Sequence, residues 1–334
     1  MATSMLSGSR LALRGPTPVQ GRVQARRAAR SPGAVVASAS NKCAIVTGAN
    51  TGIGLETVKG LAKENIATVL ACRDLAKAEA ACQKVREAVP GADVTAMRLD
   101  LASLSSVRDF SKEYLDSGRS LEVLINNAGV MATPLMRTEE GLELQIGVNH
   151  FGHFLLTDLL MDRIKEAERA RIVNVSSSAH QFGKMNWSDL QSEQGYQPWV
   201  AYGQSKLANL LFTYELARKL PADGSITVNA LHPGVVNTEL FRYNMPDEQS
   251  WLLKPVTKLM EVAFSGFTKT PAQGAETSIY LATSPEVEGV SSKYWSDCKI
   301  LTTTPLSYNQ ADAKRLWEVS QEITAAKEST VIVM

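Results

Sequence analysis

From Lys42 onward the chain alternates short β-branched apolar runs with longer stretches of helical period. The runs Cys43 to Thr47, Ala67 to Cys72, Val94 to Leu99, Leu121 to Asn126, Ile172 to Ser177 and Ile226 to Leu231 are short and rich in apolar and β-branched residues. This pattern predicts strands buried on both faces. Between them, residues 52–64, 75–88, 104–116, 140–168 and 200–220 carry helical spacing. A strand, helix, strand order repeated in this way predicts an α/β fold, a single doubly wound parallel sheet with helices on both faces. Neither an internal repeat nor a low-complexity linker interrupts it. We therefore expect one domain over 41–325 and a short Ser/Thr/Val tail over 326–334.

Composition adds size and charge to this picture. The 334 residues, 44% of them hydrophobic and 21% charged, suffice for a substantial core and exclude a disordered chain. Lys and Arg total 35 against 34 Asp and Glu, which leaves no dense positive field for sequence-independent nucleic-acid binding. The near balance conceals an uneven distribution. Residues 1–41 contain Arg10, Arg14, Arg22, Arg26, Arg27 and Arg30 with no acidic residue, among Ser, Ala, Gly and Pro. Such a composition predicts an organelle transit peptide over 1–40, with small residues from Ala34 to Ser40 around a processing site, and a disordered basic tail is the alternative. The stretch resembles plastid more than mitochondrial presequences, so chloroplast is the expected location. No run approaches the roughly 18 apolar residues of a membrane span. A peripheral membrane contact and a homo-oligomer both remain compatible with the sequence. Cys43, Cys72, Cys82 and Cys298 show no Cys-x-x-Cys spacing and are expected as free thiols. His150, His153, His180 and His232 form no His-Glu-x-x-His pattern, so no metal site is expected.

Candidate chemistry begins at the first turn. Thr47-Gly48-Ala49-Asn50-Thr51-Gly52-Ile53-Gly54 follows a strand and opens a helix. In that context glycines let backbone amides approach a pyrophosphate at a helix N-terminus, as in a Rossmann-type dinucleotide site, although the same residues also serve in ordinary tight connections. The end of the second strand reads Leu70-Ala71-Cys72-Arg73-Asp74. An acidic residue at the strand end would hold a ribose 2′-hydroxyl, whereas a guanidinium accommodates a 2′-phosphate. Arg73 favours NADP(H). Asp74 could cap the next helix, pair with Arg73 or contact the ribose.

A second constellation lies in the helix predicted over 200–220. Tyr202 and Lys206 are four residues apart, so their polar ends share one helix face. An ammonium near a phenol favours the phenolate and makes Tyr202 a candidate general acid or base. Alone, such a pair is as well explained as a surface contact. Its company argues otherwise. Ile172-Val173-Asn174-Val175-Ser176-Ser177 ends in hydroxyls at the carboxyl edge of a parallel strand, where ligands of open α/β sheets bind. Asn126-Asn127-Ala128-Gly129 and His232-Pro233-Gly234 close two more strands, and Asn149 lies in the helix between.

Together these motifs over about residues 42–322 resemble the short-chain dehydrogenase/reductase family. Val148-Asn149-His150-Phe151-Gly152-His153-Phe154, Tyr202-Gly203-Gln204-Ser205-Lys206-Leu207-Ala208-Asn209 and Leu231-His232-Pro233-Gly234 are most similar to its retinol dehydrogenase branch. Protochlorophyllide reductases and a dehydrogenase-like component of chloroplast import are close relatives. The resemblance implies that Tyr202 moves the proton, Lys206 lowers its pKa and holds the nicotinamide ribose, and Ser177 binds the substrate oxygen. It implies that Asn149 anchors a water linking Lys206 to solvent. The choice of Ser177 over Ser176 or Ser178 follows motif alignment. Gly48, Asn50, Ile53, Gly54, Arg73, Asp100, Leu101, Asn127, Pro233 and Thr238 would line the cofactor with Tyr202 and Lys206.

The chain departs from its relatives in three places. An arginine-rich leader stands where retinol dehydrogenases commonly carry a membrane anchor. Gly203-Gln204 and Asn50-Thr51 replace the residues typical of protochlorophyllide reductases. The expected activity is NADP(H)-dependent interconversion of a carbonyl and an alcohol on a lipophilic substrate. A pigment reductase and an NADP(H)-sensing regulatory protein of the plastid envelope are the alternatives. Phe241, Met245, Trp251, Leu252, Leu253, Met260, Phe264 and Phe267 would form an apolar lid over the substrate or the core of two short helices. Gln181 to Trp187 would form the other wall, and His180 and His232 would have structural roles.

Overall fold

A computed structural model of the chain describes residues 42–236 and 269–325. The expected transit segment over 1–40, the tail over 326–334, Thr238 and the apolar segment from Phe241 to Phe267 lie outside the described residues.

Eight strands form one sheet in the order β3-β2-β1-β4-β5-β6-β7-β8. They are β1 Cys43–Thr47, β2 Ala67–Cys72, β3 Val94–Arg98, β4 Val123–Asn126, β5 Ala170–Val175, β6 Ile226–Leu231, β7 Tyr294–Ser296 and β8 Lys299–Leu301. All pairings are parallel except β7 with β8. The chain runs outward from β1 to β3, then crosses back to place β4 on the other side of β1. A crevice therefore opens at the carboxyl ends of β1 and β4, where the winding direction reverses.

Among the described residues eight α-helical segments cover the sheet: α1 Gly52–Lys63, α2 Leu75–Ala88, α3 Leu104–Asp116, α4 Leu144–Ile146, α5 Gly152–Lys165, α6 Pro198–Lys219, α7 Pro271–Thr283 and α8 Gln310–Thr324. The strands sort their side chains by parity, as the two-residue pleat requires. In β1, Cys43 and Ile45 enter a core with Phe110, Phe154, Phe212 and Trp317, contributed by α3, α5, α6 and α8. Ala44 and Val46 enter the opposite core with Val58, Leu61, Cys82 and Leu281, contributed by α1, α2 and α7. Apolar residues thus occupy both parities of the strand because it feeds two cores.

Polar side chains inside the first core set the helices against the sheet. Asn126 Nδ2 donates to Asn174 Oδ1 at 2.8 Å and to Thr157 Oγ1 at 3.1 Å. Asn174 Nδ2 in turn donates to Thr213 Oγ1 at 2.9 Å. This buried line joins α5, β4, β5 and α6, so the helix that carries Tyr202 and Lys206 is held at a defined height on the sheet.

Several expectations change. β3 stops at Arg98, before Leu99, and β4 starts at Val123 instead of Leu121. β5 ends at Val175, two residues before Ser177, where the chain turns into a short 3₁₀ helix. The helix expected over 140–168 spans 144–165 and contains a π-helical turn at Gly147–Phe151. Strands β7 and β8 and helices α7 and α8 have no counterpart in the periodicity. β7 and β8 have three residues each, and β7 is pinned from afar: Asn229 Oδ1 accepts from the Lys293 amide at 3.0 Å and the Trp295 indole at 3.2 Å. α8 is polar apart from a narrow buried stripe around Ala313, Leu316 and Trp317. The four cysteines are free. Among the described residues no helix is long and apolar enough to cross a membrane.

Trp317 fastens that stripe. Its ring packs on Phe154 at 5.0 Å and Phe212 at 6.0 Å, with the Lys219 ammonium 4.9 Å from its centre. Trp317→Ala is expected to cost about 3–5 kcal/mol of stability in chemical denaturation, the usual range for emptying a buried aromatic site.

Candidate active site

The carboxyl ends of the strands enclose a cleft of about 940 Å³. The register aligns them: Thr47 pairs with Ala71, Asn126 with Asn174 and Val175 with Leu231. Chain turns after β1, β2, β4, β5 and β6 therefore reach one edge together.

Gly48, Asn50, Ile53 and Gly54 line the cleft where α1 begins. Thr51 caps this helix without a side-chain hydrogen bond, and the first turn holds no acidic residue, so its amide groups are free to face an anion. Gly54 admits no side chain, since a Cβ would stand 2.5 Å from the Gly48 carbonyl oxygen and 2.7 Å from Asn127 Nδ2. Asn127 is tied across the crevice, donating from Nδ2 to the Thr47 carbonyl at 2.8 Å and from its amide to Thr47 Oγ1 at 2.9 Å. These features fit a nucleotide diphosphate.

At the end of β2, Asp74 caps the next helix while also lining the cleft. Its carboxylate caps α2 by accepting the Lys77 amide at 3.1 Å and pairs with the Lys77 ammonium at 3.6 Å. Arg73 is exposed, lines the cleft and makes no ion pair among the described residues. Asp100, Leu101 and Pro233 also line the cleft, and the Asp100 carboxylate accepts the Ala102 amide at 3.0 Å.

Ser177, Tyr202 and Lys206 come together at the opposite end of the same cleft. Their neighbours separate the three serines. Ser176 is buried and donates its hydroxyl to the Lys206 carbonyl at 2.8 Å, and Ser178 is exposed. Ser177 stands between them, with its hydroxyl near enough to the Tyr202 phenol to lower its pKa and accepting the Ala179 amide at 3.2 Å. Lys206 Nζ donates to the Val175 carbonyl at 3.1 Å and lies 5.7 Å from the centre of the Tyr202 ring. Burial pushes the phenol up to about 12 and takes the ammonium down to about 8. Desolvation is the leading cause of both shifts, and the Ser177 hydroxyl opposes it at the phenol.

Asn149 lies in the π-helical turn and is wholly buried. Oδ1 accepts the Val130 amide at 2.8 Å, while Nδ2 donates to the Val130 carbonyl at 3.0 Å and to Ser205 Oγ at 2.9 Å. Both amide protons are thus committed to protein, and the side chain braces the loop beside Lys206.

The chemistry of the cleft accords with the comparisons with known proteins. A profile of the short chain dehydrogenase family matches residues 42–249. The chain belongs to the short-chain dehydrogenase/reductase family. Within it the sequence falls in the retinol dehydrogenase branch. It is 44% identical to retinol dehydrogenase 14 of Homo sapiens over 314 residues, 90% of each chain. Retinol dehydrogenase 12 of Mus musculus is 45% identical over 282 residues, 84% of this chain and 86% of that one. Among solved structures, an uncharacterized protein from Mycobacterium paratuberculosis superposes with a TM-score of 0.68 at 34% identity, covering 86% of this chain and 94% of its own. The family is one of oxidoreductases that act on alcohols and carbonyls with a nicotinamide cofactor.

Several cleft residues of this dehydrogenase escaped sequence reasoning. Lys77 stands one helical turn beyond Arg73, and Trp199 lies three residues before Tyr202, with its ring 6.0 Å from the tyrosine ring. The i, i+3 spacing could have revealed Trp199. Of the wall expected over Gln181 to Trp187, only Phe182 faces the cleft. Met185 and Trp187 pack instead against α6 and α8, with the Trp187 indole donating to Asp312 at 2.8 Å. The departure at Gly203 has a steric cause, because a Cβ there would lie 2.9 Å from the Phe182 ring and 3.1 Å from the Ala179 carbonyl oxygen. Gln204 accepts the Asn186 amide at 2.8 Å and donates to the Leu190 carbonyl at 3.1 Å, holding that loop to α6.

Gly54→Val is expected to weaken nicotinamide nucleotide binding by about tenfold or more, since a clash of this size displaces the amide cradle. Titration of the variant with NADPH by calorimetry, beside its melting temperature, separates this loss from a loss of fold.

Proposed function

We propose that the protein is an NADP(H)-dependent oxidoreductase that interconverts a carbonyl and an alcohol on a lipophilic substrate. The convergence of Ser177, Tyr202 and Lys206 in the cleft that also holds the glycine turn carries this reading. The bound cofactor supplies or accepts the hydride. The protein positions the substrate and moves the proton. Ser177 holds the carbonyl oxygen beside the Tyr202 hydroxyl, and in the reductive direction Tyr202 donates its proton to that oxygen. Burial of the phenol suits this direction, because the protonated form is the one present at neutral pH. Lys206 keeps a positive charge beside the ring below about pH 8, where it stabilises the phenolate left after transfer.

Arg73 supports the phosphorylated cofactor. Asp74 is engaged by α2, and a 2′-phosphate would find both Arg73 and Lys77 at the cleft wall. The other end of the cleft supports a lipophilic substrate. Met136, Phe182, Trp199 and Val235 line it and remain 42%, 56%, 49% and 53% exposed. Large apolar side chains held in the open at a cleft mouth fit an apolar ligand.

Hydride transfer from NADPH to a panel of retinal, long-chain aldehydes and quinones tests the reading. Turnover of a lipophilic carbonyl is expected, and NADPH binding with no turnover on the whole panel would favour a nucleotide sensor. On the best substrate, Tyr202→Phe should cut kcat by about 10²-fold or more while cofactor affinity holds, the usual effect of losing a general acid. Unchanged turnover would remove Tyr202 from the mechanism. Arg73→Ala should raise KM for NADPH far more than for NADH. An equal rise for both would show that the guanidinium does not read the phosphate.

A further inference from the structure

His153 opens α5 one helical turn after Asn149, is 3% exposed, and has partners at both ring nitrogens. Nδ1 lies 3.1 Å from the Asn149 carbonyl oxygen, and Nε2 lies 2.9 Å from Thr47 Oγ1. A carbonyl can only accept, so Nδ1 carries a proton. The neutral ring then presents Nε2 as an acceptor. Thr47 is suited to donate to it, because its oxygen already accepts the amides of Asn127 and Ala128, each at 2.9 Å. The remaining hydroxyl proton chooses between Nε2 at 2.9 Å and the Ile125 carbonyl at 3.5 Å, and the shorter contact wins. Geometry alone therefore assigns the tautomer.

The same contacts bring three separate parts of the site onto one ring. Thr47 ends β1 at the glycine turn. Asn127 and Ala128 follow β4 on the far side of the crevice. Asn149 stands next to Lys206: a methyl group added at Gly129 would lie 3.1 Å from Asn149 Oδ1 and 3.4 Å from Lys206 Nζ. Burial and the Lys206 ammonium oppose a charge on the ring. Burial takes the His153 pKa down to about 4 and Lys206 adds to this, against the opposing hydrogen bond to the Asn149 carbonyl, while the neighbouring His150 is itself lowered by burial to about 3. A proton on Nε2 would also meet a threonine oxygen whose lone pairs are both taken.

We propose that His153 is a positioning residue, a neutral ring that locks the Thr47 turn, the Asn127-Ala128 turn and the Asn149 backbone into one hydrogen-bonded unit and so holds the loop beside Lys206. This role deepens the oxidoreductase reading and rests on it for its kinetic consequence. Its structural content can be read without turnover.

Long-range ¹H–¹⁵N spectra of the full chain labelled at histidine nitrogen provide that measurement, with the His153 signal assigned by its disappearance in His153→Asn. The expected result is an Nδ1-protonated ring that does not titrate between pH 5.5 and 8. An Nε2-protonated tautomer, or a titration near the ordinary histidine value, overturns the proposal. Kinetics supply the second arm. His153→Leu removes both hydrogen bonds and should lower kcat by about tenfold or more, as displacement near a reacting group does, with KM for NADPH nearly constant. His153→Asn keeps a donor for the Asn149 carbonyl and should recover part of the lost kcat. Parental kcat in a folded His153→Leu overturns the proposal, as does a His153→Asn variant no better than Leu. Should His153→Leu fail to fold, the spectra of the unmodified chain decide. A chain that shows the expected tautomer but reduces no carbonyl refutes the oxidoreductase reading while supporting the hydrogen-bonded unit.

Discussion

A buried ammonium set against the carboxyl end of a strand is the constraint around which this site is built. Lys206 is 4% exposed, and its Nζ rests on the Val175 carbonyl. A charge in such a place is costly unless hydrogen-bonded, and the cost is visible in the depressed pKa of the group. It can be held there only if β5 ends at the right residue and α6 lies at the right height. Both conditions are met by polar contacts inside the fold. The Asn126, Asn174 and Thr213 line fixes α6 on the sheet, and the Ser176 hydroxyl ties the end of β5 to the Lys206 carbonyl. The chemistry of the cleft thus depends on hydrogen bonds that never touch a ligand.

The two ends of the cleft differ in what they ask of the protein. At the nucleotide end the backbone does most of the work: an uncapped α1, a glycine with no room for a side chain and an asparagine bridging two strand ends. At the reactive end side chains dominate, and their surroundings decide their properties. The phenol of Tyr202 and the ammonium of Lys206 are both driven toward their neutral forms by burial. The histidines are recruited as rigid neutral connectors. His180, like His153, places Nδ1 against the carbonyl of a site residue, 2.6 Å from that of Ser177, and its Nε2 stands 2.6 Å from the Thr303 hydroxyl. The C-terminal segment is joined to the serine by that contact.

Much of this was legible in the chain. β1, β2 and β6 carry the bounds that periodicity predicted, because a strand buried on both faces is mostly apolar along its length. The glycine turn and the Tyr202 to Lys206 spacing were legible for a similar reason, since turn sterics and helical phase act between near neighbours in sequence. β7, β8 and α8 were not. They are short or mostly polar, and they are held by Asn229, Trp295 and Trp317 through contacts with residues far along the chain.

The sequence by itself determined the first six strands and the helices between them, which chemical groups those strand ends deliver, and that a guanidinium follows β2. Tertiary structure decided which of three adjacent hydroxyls meets Tyr202, that Asp74 serves a helix cap, that both Asn149 amide protons bond to protein, and in which direction burial drives each titratable group. The division has a physical basis. Propensity and phase are carried by residues a few positions apart, whereas desolvation and the sharing of lone pairs depend on which distant groups close over a side chain once the fold is complete.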